Sequence, residues 1–280
     1  MKCQFTIVQR RSTAPRVGAV CFLMLAVTLA GCFTGHEPTT YYGRVIVPRA
    51  QEFRWSDGGL PQTFDPAFAA AAPDTDAVRA LFEGLTDYDP QTLAPVPAVA
   101  KRWESSSDSR VWTFYLRDDA KWSNGENVTA ADFVRSWQRT LKIGPLAPHT
   151  ELLSNIEGAI VKSVAPKPTK NAKPSESTTH VAFGAEAVGD HVLRVRLLEG
   201  DTSFPALVAH PVFRPVKVAS PETTRRLEAH ELVSNGAFLF SGADNEKVLL
   251  EPSKTYWDGA SVSLQRVAFV NSTNAEEALT

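Results

Sequence analysis

The chain has 280 residues, 43% of them apolar and 21% charged, which is an ordinary globular composition and argues against a disordered or fibrous protein. Its 29 basic and 31 acidic residues leave a formal net charge of −2. That balance speaks against a nucleic-acid or polybasic membrane-surface role.

The N-terminus has a different layout from the rest. Lys2, Arg10, Arg11 and Arg16 come first, an uncharged apolar run spans Val17 to Leu29, and no acidic residue occurs before Glu37. This is the pattern of a secretory signal. The run is about 13 residues long, whereas a helix needs roughly 20 to cross the hydrocarbon core. Export is therefore expected, and a permanent transmembrane anchor is not. Leu29-Ala30-Gly31-Cys32 resembles the bacterial lipobox, whose small residues admit the peptidase and whose cysteine thiol receives diacylglycerol. The alternative is a plain signal peptide that happens to contain a cysteine. Cleavage before Cys32 would leave 25 basic against 31 acidic residues, and acyl chains would then supply the membrane attachment. Residues 1–31 are thus expected to be a lipoprotein signal and 32–52 a lipidated tether. Cys3, Cys21 and Cys32 are the chain's three cysteines, so the body beyond them has no thiol for a disulfide, a metal or a nucleophile.

Along the body, Phe53 and Trp55 alternate with charged neighbours and predict a short strand entering a core. Asp74 or Thr75 is placed to cap a helix that buries Ala77, Val78, Leu81 and Phe82 and ends at Gly84. The β-branched and aromatic run Val111 to Leu116 predicts a strand, and Asn124-Gly125 a tight turn. Thr129 with Asp132 three residues later starts a helix whose Phe133, Val134, Trp137 and Leu141 share a side. Residues 162–180, rich in Pro, Lys, Ser and Thr, predict a disordered, solvated loop. Strands are expected at Val192 to Leu198, Val248 to Glu251 and Val267 to Val270, with a short helix or turn at Phe204 to Val208.

Motifs of enzyme mechanics, such as HExxH, GxSxG, GxxxxGK and GxGxxG, do not occur. The six histidines are scattered, with no pair at i, i+4. Asp118-Asp119 reads as a solvated turn rather than a carboxylate dyad. The expectation is a protein that is no enzyme and carries no cofactor or metal.

Several stretches taken together resemble the extracytoplasmic solute-binding proteins of family 5, the oligopeptide- and dipeptide-binding lipoproteins of ABC importers. They are "TFDPAF" from Thr63, "LFEGLTDYDP" from Leu81, "PAVAKRW" from Pro97, "VWTFYLRDDAKWSNGENVTAADFVRSWQR" from Val111, "AHPVFRPV" from Ala209, "SNGAF" from Ser234 and "YWDG" from Tyr256. The resemblance implies a bilobed α/β clamshell of the type II periplasmic-binding-protein class. Residues 53–82 and 218–270 would form its first lobe, 83–217 a middle subdomain, and 271–280 a truncated crossover to a second lobe that is absent. The stretch from Asp118 to Leu141 would be scaffold, with Trp122, Phe133 and Trp137 in the subdomain core.

Family members hold an extended peptide by strand addition. The resemblance places the pairing strand at Ala69, Ala70, Ala71 and Ala72, which could equally be a small-residue packing strip. It places His149 where some relatives carry a cleft tyrosine, although a solvent-facing loop histidine fits as well. Trp55 and Asn235-Gly236 are lesser candidates. The expected partners are a peptide, an ABC permease and, through Cys32, a membrane facing the periplasm or cell exterior. The acidic residue that meets the peptide amino terminus in relatives would lie in the missing part. The competing expectations are a non-transport surface lipoprotein that binds a protein partner, a non-functional fragment and, without motif support, a hydrolase.

Overall fold

The computed structural model describes residues 51–159 and 182–271. The lipobox-like stretch with Cys32 and the Lys/Pro-rich stretch 162–180 lie outside these residues. Among the described residues ten strands form three sheets. β1 (Glu52–Trp55), β8 (Phe238–Ala243), β9 (Lys247–Pro252) and β10 (Arg266–Val270) make a four-stranded sheet in the order β1-β10-β9-β8, with β1 parallel to β10 and the other pairs antiparallel. β2 (Thr86–Tyr88) and β3 (Pro95–Pro97) form a two-stranded ribbon. β4 (Ala100–Ser105), β5 (Val111–Leu116), β6 (Ala185–Ala187) and β7 (Val192–Arg196) form an antiparallel sheet in the order β4-β5-β7-β6. α1 (Asp74–Leu81), α2 (Ala130–Ile143) and the short α3 (Phe204–Leu207), with five short 3-10 turns, complete the elements of the described residues, a mixed α/β fold as expected.

Local sequence rules account for much of this. β5 buries Trp112, Phe114 and Leu116 and leaves the intervening residues half-exposed, the period-2 signature of a strand with one face on a core. α2 starts as its sequence predicts: Asp132 Oδ2 accepts from the backbone N–H of Thr129 at 2.8 Å and from its hydroxyl at 2.9 Å. Aspartate thus takes the place of the usual glutamate in the capping box. The same carboxylate receives the indole N–H of Trp122 at 3.2 Å, which ties the turn before the helix to its first residues. Gly125 closes that turn with a φ of +88° that few side-chain-bearing residues adopt. Trp122, Phe133 and Trp137 are all fully buried.

Three expectations are corrected, the first being the end of α1, which stops at Leu81 with an extended Phe82 as its cap rather than at Gly84. Phe53 and Trp55 are in a strand, but they are 46% and 40% exposed and do not enter a core. β1 lies at one end of its sheet and pairs with β10 alone, so its alternation marks an edge rather than an interior strand. α1 is preceded by Pro73, not capped by Asp74 or Thr75. Asp74 is the first helical residue rather than the cap, and its carboxylate accepts from the backbone N–H of Gln62 at 2.6 Å.

Three of the sequence stretches that carry the family resemblance meet in one knot. Asn235 brackets the backbone of Glu83, accepting from its N–H at 3.1 Å and donating to its carbonyl at 3.0 Å. Gly236 donates to the carbonyl of Leu81 at 2.8 Å, and a Cβ there would lie 2.6 Å from the Leu81 carbonyl carbon. The Glu83 carboxylate accepts from the Tyr256 hydroxyl at 2.7 Å and the Trp257 indole at 2.8 Å. Burial pushes the Glu83 carboxyl up, while those two bonds and the charges of Arg214 and Arg117 pull it back. Arg117 lies over the Trp257 ring at 3.2 Å and closes the knot from outside.

Candidate peptide-binding segment

The run Ala69 to Ala72 is exposed from Ala70 onward and lies outside every sheet of the described residues. It is a turn leading into α1 rather than a strand already paired. Small residues without β-branching leave the local conformation to whatever anchors the two ends. Here both ends are anchored.

On the N-terminal side stands Asp65, whose carboxylate meets the Arg139 guanidinium of α2 through bonds of 2.9 and 2.6 Å. Arg139 also donates to the carbonyls of Thr223 and Arg225 at 2.6 and 2.8 Å, and Asp65 accepts from the Leu227 amide at 3.0 Å. The charges are therefore buried but fully engaged. Asp65 further accepts from the Ala67 amide at 3.1 Å, and its own carbonyl accepts from Phe68 and Ala69. Next, Ala67 packs with Ile143 and Ala147, at the end of α2 and just beyond it. On the C-terminal side the Ala71 carbonyl accepts from Thr75 at 3.0 Å, in the first turn of α1.

His149 reaches the middle of the run. Its Nε2 is 2.7 Å from the carbonyl oxygen of Ala70, a contact across 79 residues. Its ring stands edge-on to that of His210 with centroids 4.9 Å apart. His210 is half-buried, and burial, followed by the proximity of His149, pushes its imidazole down to about 4. The amides of Ala70, Ala71 and Ala72 find no acceptor among the described residues. The segment is consequently held at Asp65, Ala67, Ala70 and Ala71, and its exposed residues 70–72 have amides without an acceptor among the described residues.

The site candidates divide accordingly. Ala70, Ala71, Ala72 and His149 come together and Ala69 is buried beside them; Trp55 is on the edge strand with its side chain hydrogen-bonded to Asp76 in the first turn of α1, and Asn235 is in the Glu83 knot. Sequence reasoning missed Asp65, Arg139 and His210, which position the run and its histidine. "TFDPAF" does contain Asp65, yet nothing in it names a partner 74 residues away. Among the described residues no group of three or more His, Cys, Asp or Glu could hold a metal ion. No helix among them is long and apolar enough to cross a membrane. A concavity lined by Ser123, Leu239, Glu251 and Lys254 lies elsewhere and shares none of the segment's residues.

Residues 94–280 match the model of bacterial extracellular solute-binding proteins, family 5. The chain is 35% identical over 231 residues to the periplasmic oligopeptide-binding protein OppA of Escherichia coli, covering 81% of this chain and 40% of that protein. It is 33% identical over 258 residues to the periplasmic murein peptide-binding protein MppA of the same organism, covering 91% and 45%. Among solved structures, Haemophilus influenzae OppA in complex with the peptide RPPGFSPFR superposes with a TM-score of 0.69 at 28% identity, covering 83% of this chain and 44% of that one. The chain therefore spans less than half the length of these relatives and shares the mixed α/β fold of type II peptide-binding proteins over that span. It belongs to the bacterial extracellular solute-binding proteins of family 5.

Proposed function

We propose that this protein is a peptide-binding component of an ABC importer, exported and held at the membrane through a lipid on Cys32. The observation that carries the reading is the anchored run Ala70–Ala72, whose open amides suit an extended peptide that adds as a strand. Relatives named for oligopeptide and murein-peptide binding support it. Backbone pairing against methyl side chains supplies affinity with little selectivity, which suits a carrier of varied sequences. In this reading residues 53–82 and 218–270 form a first lobe, 83–217 a middle subdomain, and 271–280 lead toward a second lobe, with the peptide passed on to a permease.

Two measurements test this. A pool of synthetic tri- to pentapeptides should raise the melting temperature saturably, since a ligand that binds only the folded state stabilises it by about 2.7 kcal/mol at a hundred times its dissociation constant. Absence of any shift at millimolar peptide would refute peptide capture by this chain. Replacing Cys32 with Ala should move the protein from the membrane to the soluble fraction; unchanged attachment would refute the lipid anchor.

One observation favours a second reading. The exposed pair Phe53 and Trp55, with ring centroids 5.8 Å apart on an edge strand, suits contact with a protein partner. A stable protein complex without any peptide response would favour it.

A further inference from the structure

We infer that His149 is a positioning residue for peptide capture, a latch that holds the Ala70 carbonyl and thereby fixes how the Ala70–Ala72 amides face a ligand. The inference rests on the peptide reading above and adds a residue role to it.

The chemistry of the acceptor settles the protonation of the contact. A carbonyl oxygen accepts and never donates, so the His149 Nε2 at 2.7 Å from Ala70 must carry a hydrogen. Its other nitrogen is 3.7 Å from a Glu151 carboxylate oxygen, too far for a hydrogen bond. The ring is set from behind by His210. There Nδ1 accepts from the Val212 amide at 3.2 Å and therefore carries no hydrogen, so His210 is neutral in this arrangement. A neutral, half-buried ring can lie edge-on against His149 without the repulsion that two imidazolium groups would bring.

The backbone at His149 points to the same role. Its φ of +64° is left-handed, a conformation uncommon for residues with a side chain. The following Thr150 is buried and its hydroxyl donates to the carbonyl of Ala147 at 2.6 Å, with the Gly144 carbonyl 3.2 Å from the same oxygen. The unusual conformation is thus enforced by the loop, and its effect is to swing the imidazole onto Ala70. Ala67 already packs against Ile143 and Ala147, on either side of the turn that leads to the histidine. One loop grips the segment twice, by packing and by a hydrogen bond. One lone pair of the Ala70 carbonyl is then engaged by protein, and its second, with the amides, is left for a ligand strand.

The test uses the full chain in detergent with two variants. His149→Phe keeps a ring of similar size but cannot donate, and His149→Gln retains an N–H donor of similar reach. The latch predicts that Phe weakens binding of the tri- to pentapeptide pool about tenfold and that Gln restores it to within about threefold of the parent. It also predicts that 15N spectra of the parent show a hydrogen on His149 Nε2 and that amide exchange at Thr75, which donates into the segment, speeds up in the Phe variant only. Equal peptide affinity of the Phe variant and the parent would overturn the role in capture. If the parent binds no peptide, the peptide reading and the capture role fall together, whereas the latch as a structural contact is judged by the 15N spectra and Thr75 exchange alone. A hydrogen absent from Nε2, or unchanged exchange in the Phe variant, would overturn that contact.

Discussion

Asp65 and Arg139 face each other carboxylate to guanidinium, with bonds of 2.9 and 2.6 Å, and neither is measurably open to solvent. This pair fixes the start of the alanine run to the one long helix of the described residues. Because each partner is buried, removing either strands a charge. Arg139→Met or Asp65→Asn alone should destabilise by about 3–5 kcal/mol in urea unfolding, and the double variant Asp65→Asn/Arg139→Met by less than the sum. Additive losses would show that the two do not act as a pair.

The Glu83 knot makes a second prediction. A carboxylate offers separate oxygens to Tyr256 and Trp257, while an amide offers one oxygen and a competing donor. Glu83→Gln should cost about 1–3 kcal/mol, since one buried donor loses its acceptor. Gly236→Ala should cost about the same for a different reason. Its methyl would collide with the backbone of Leu81 rather than with a side chain free to turn aside. Thermal unfolding of both variants against the parent checks the pair; an unchanged midpoint for Gly236→Ala would contradict the packing described.

Acid should weaken the fold through His210. Its imidazole is pushed down to about 4 from an ordinary 6.5, mainly by burial, next by His149 and also by Arg214, with Glu151 opposing. The unfolded chain takes up the proton as pH falls through 6.5, whereas the folded chain resists until about 4. Stability attributable to this group is therefore complete above 6.5 and is lost between those two values. Melting curves from pH 7 to pH 4.5 should show the loss. His210→Asn, whose side-chain oxygen can still accept from Val212, should show a smaller one. Equal slopes for parent and variant would contradict the assignment.

What the sequence made legible was mostly local. The capping box at Thr129 and Asp132, the Asn124-Gly125 turn and the alternation of β5 depend on residues within a few positions of one another, and each formed as expected. Phe53 and Trp55 misled because alternation reports a strand and is silent on whether anything lies over its face. Asp65, Arg139, Glu83 and His210 escaped because their meaning lies in partners 74 to 174 residues away, or across a loop. The alanine run was placed by resemblance. Its methyls carry no signal of their own, and only the anchors around it give it a defined shape.

Peptide pairing at that run can be read directly. Amide hydrogen exchange at Ala70, Ala71 and Ala72 should be fast in the free protein, where these groups have no acceptor among the described residues, and should slow saturably at the alternate residues that face a paired strand as the peptide pool is added. Fast exchange at all three, unchanged at peptide concentrations that raise the melting temperature, would contradict strand addition at this segment and move the binding surface elsewhere.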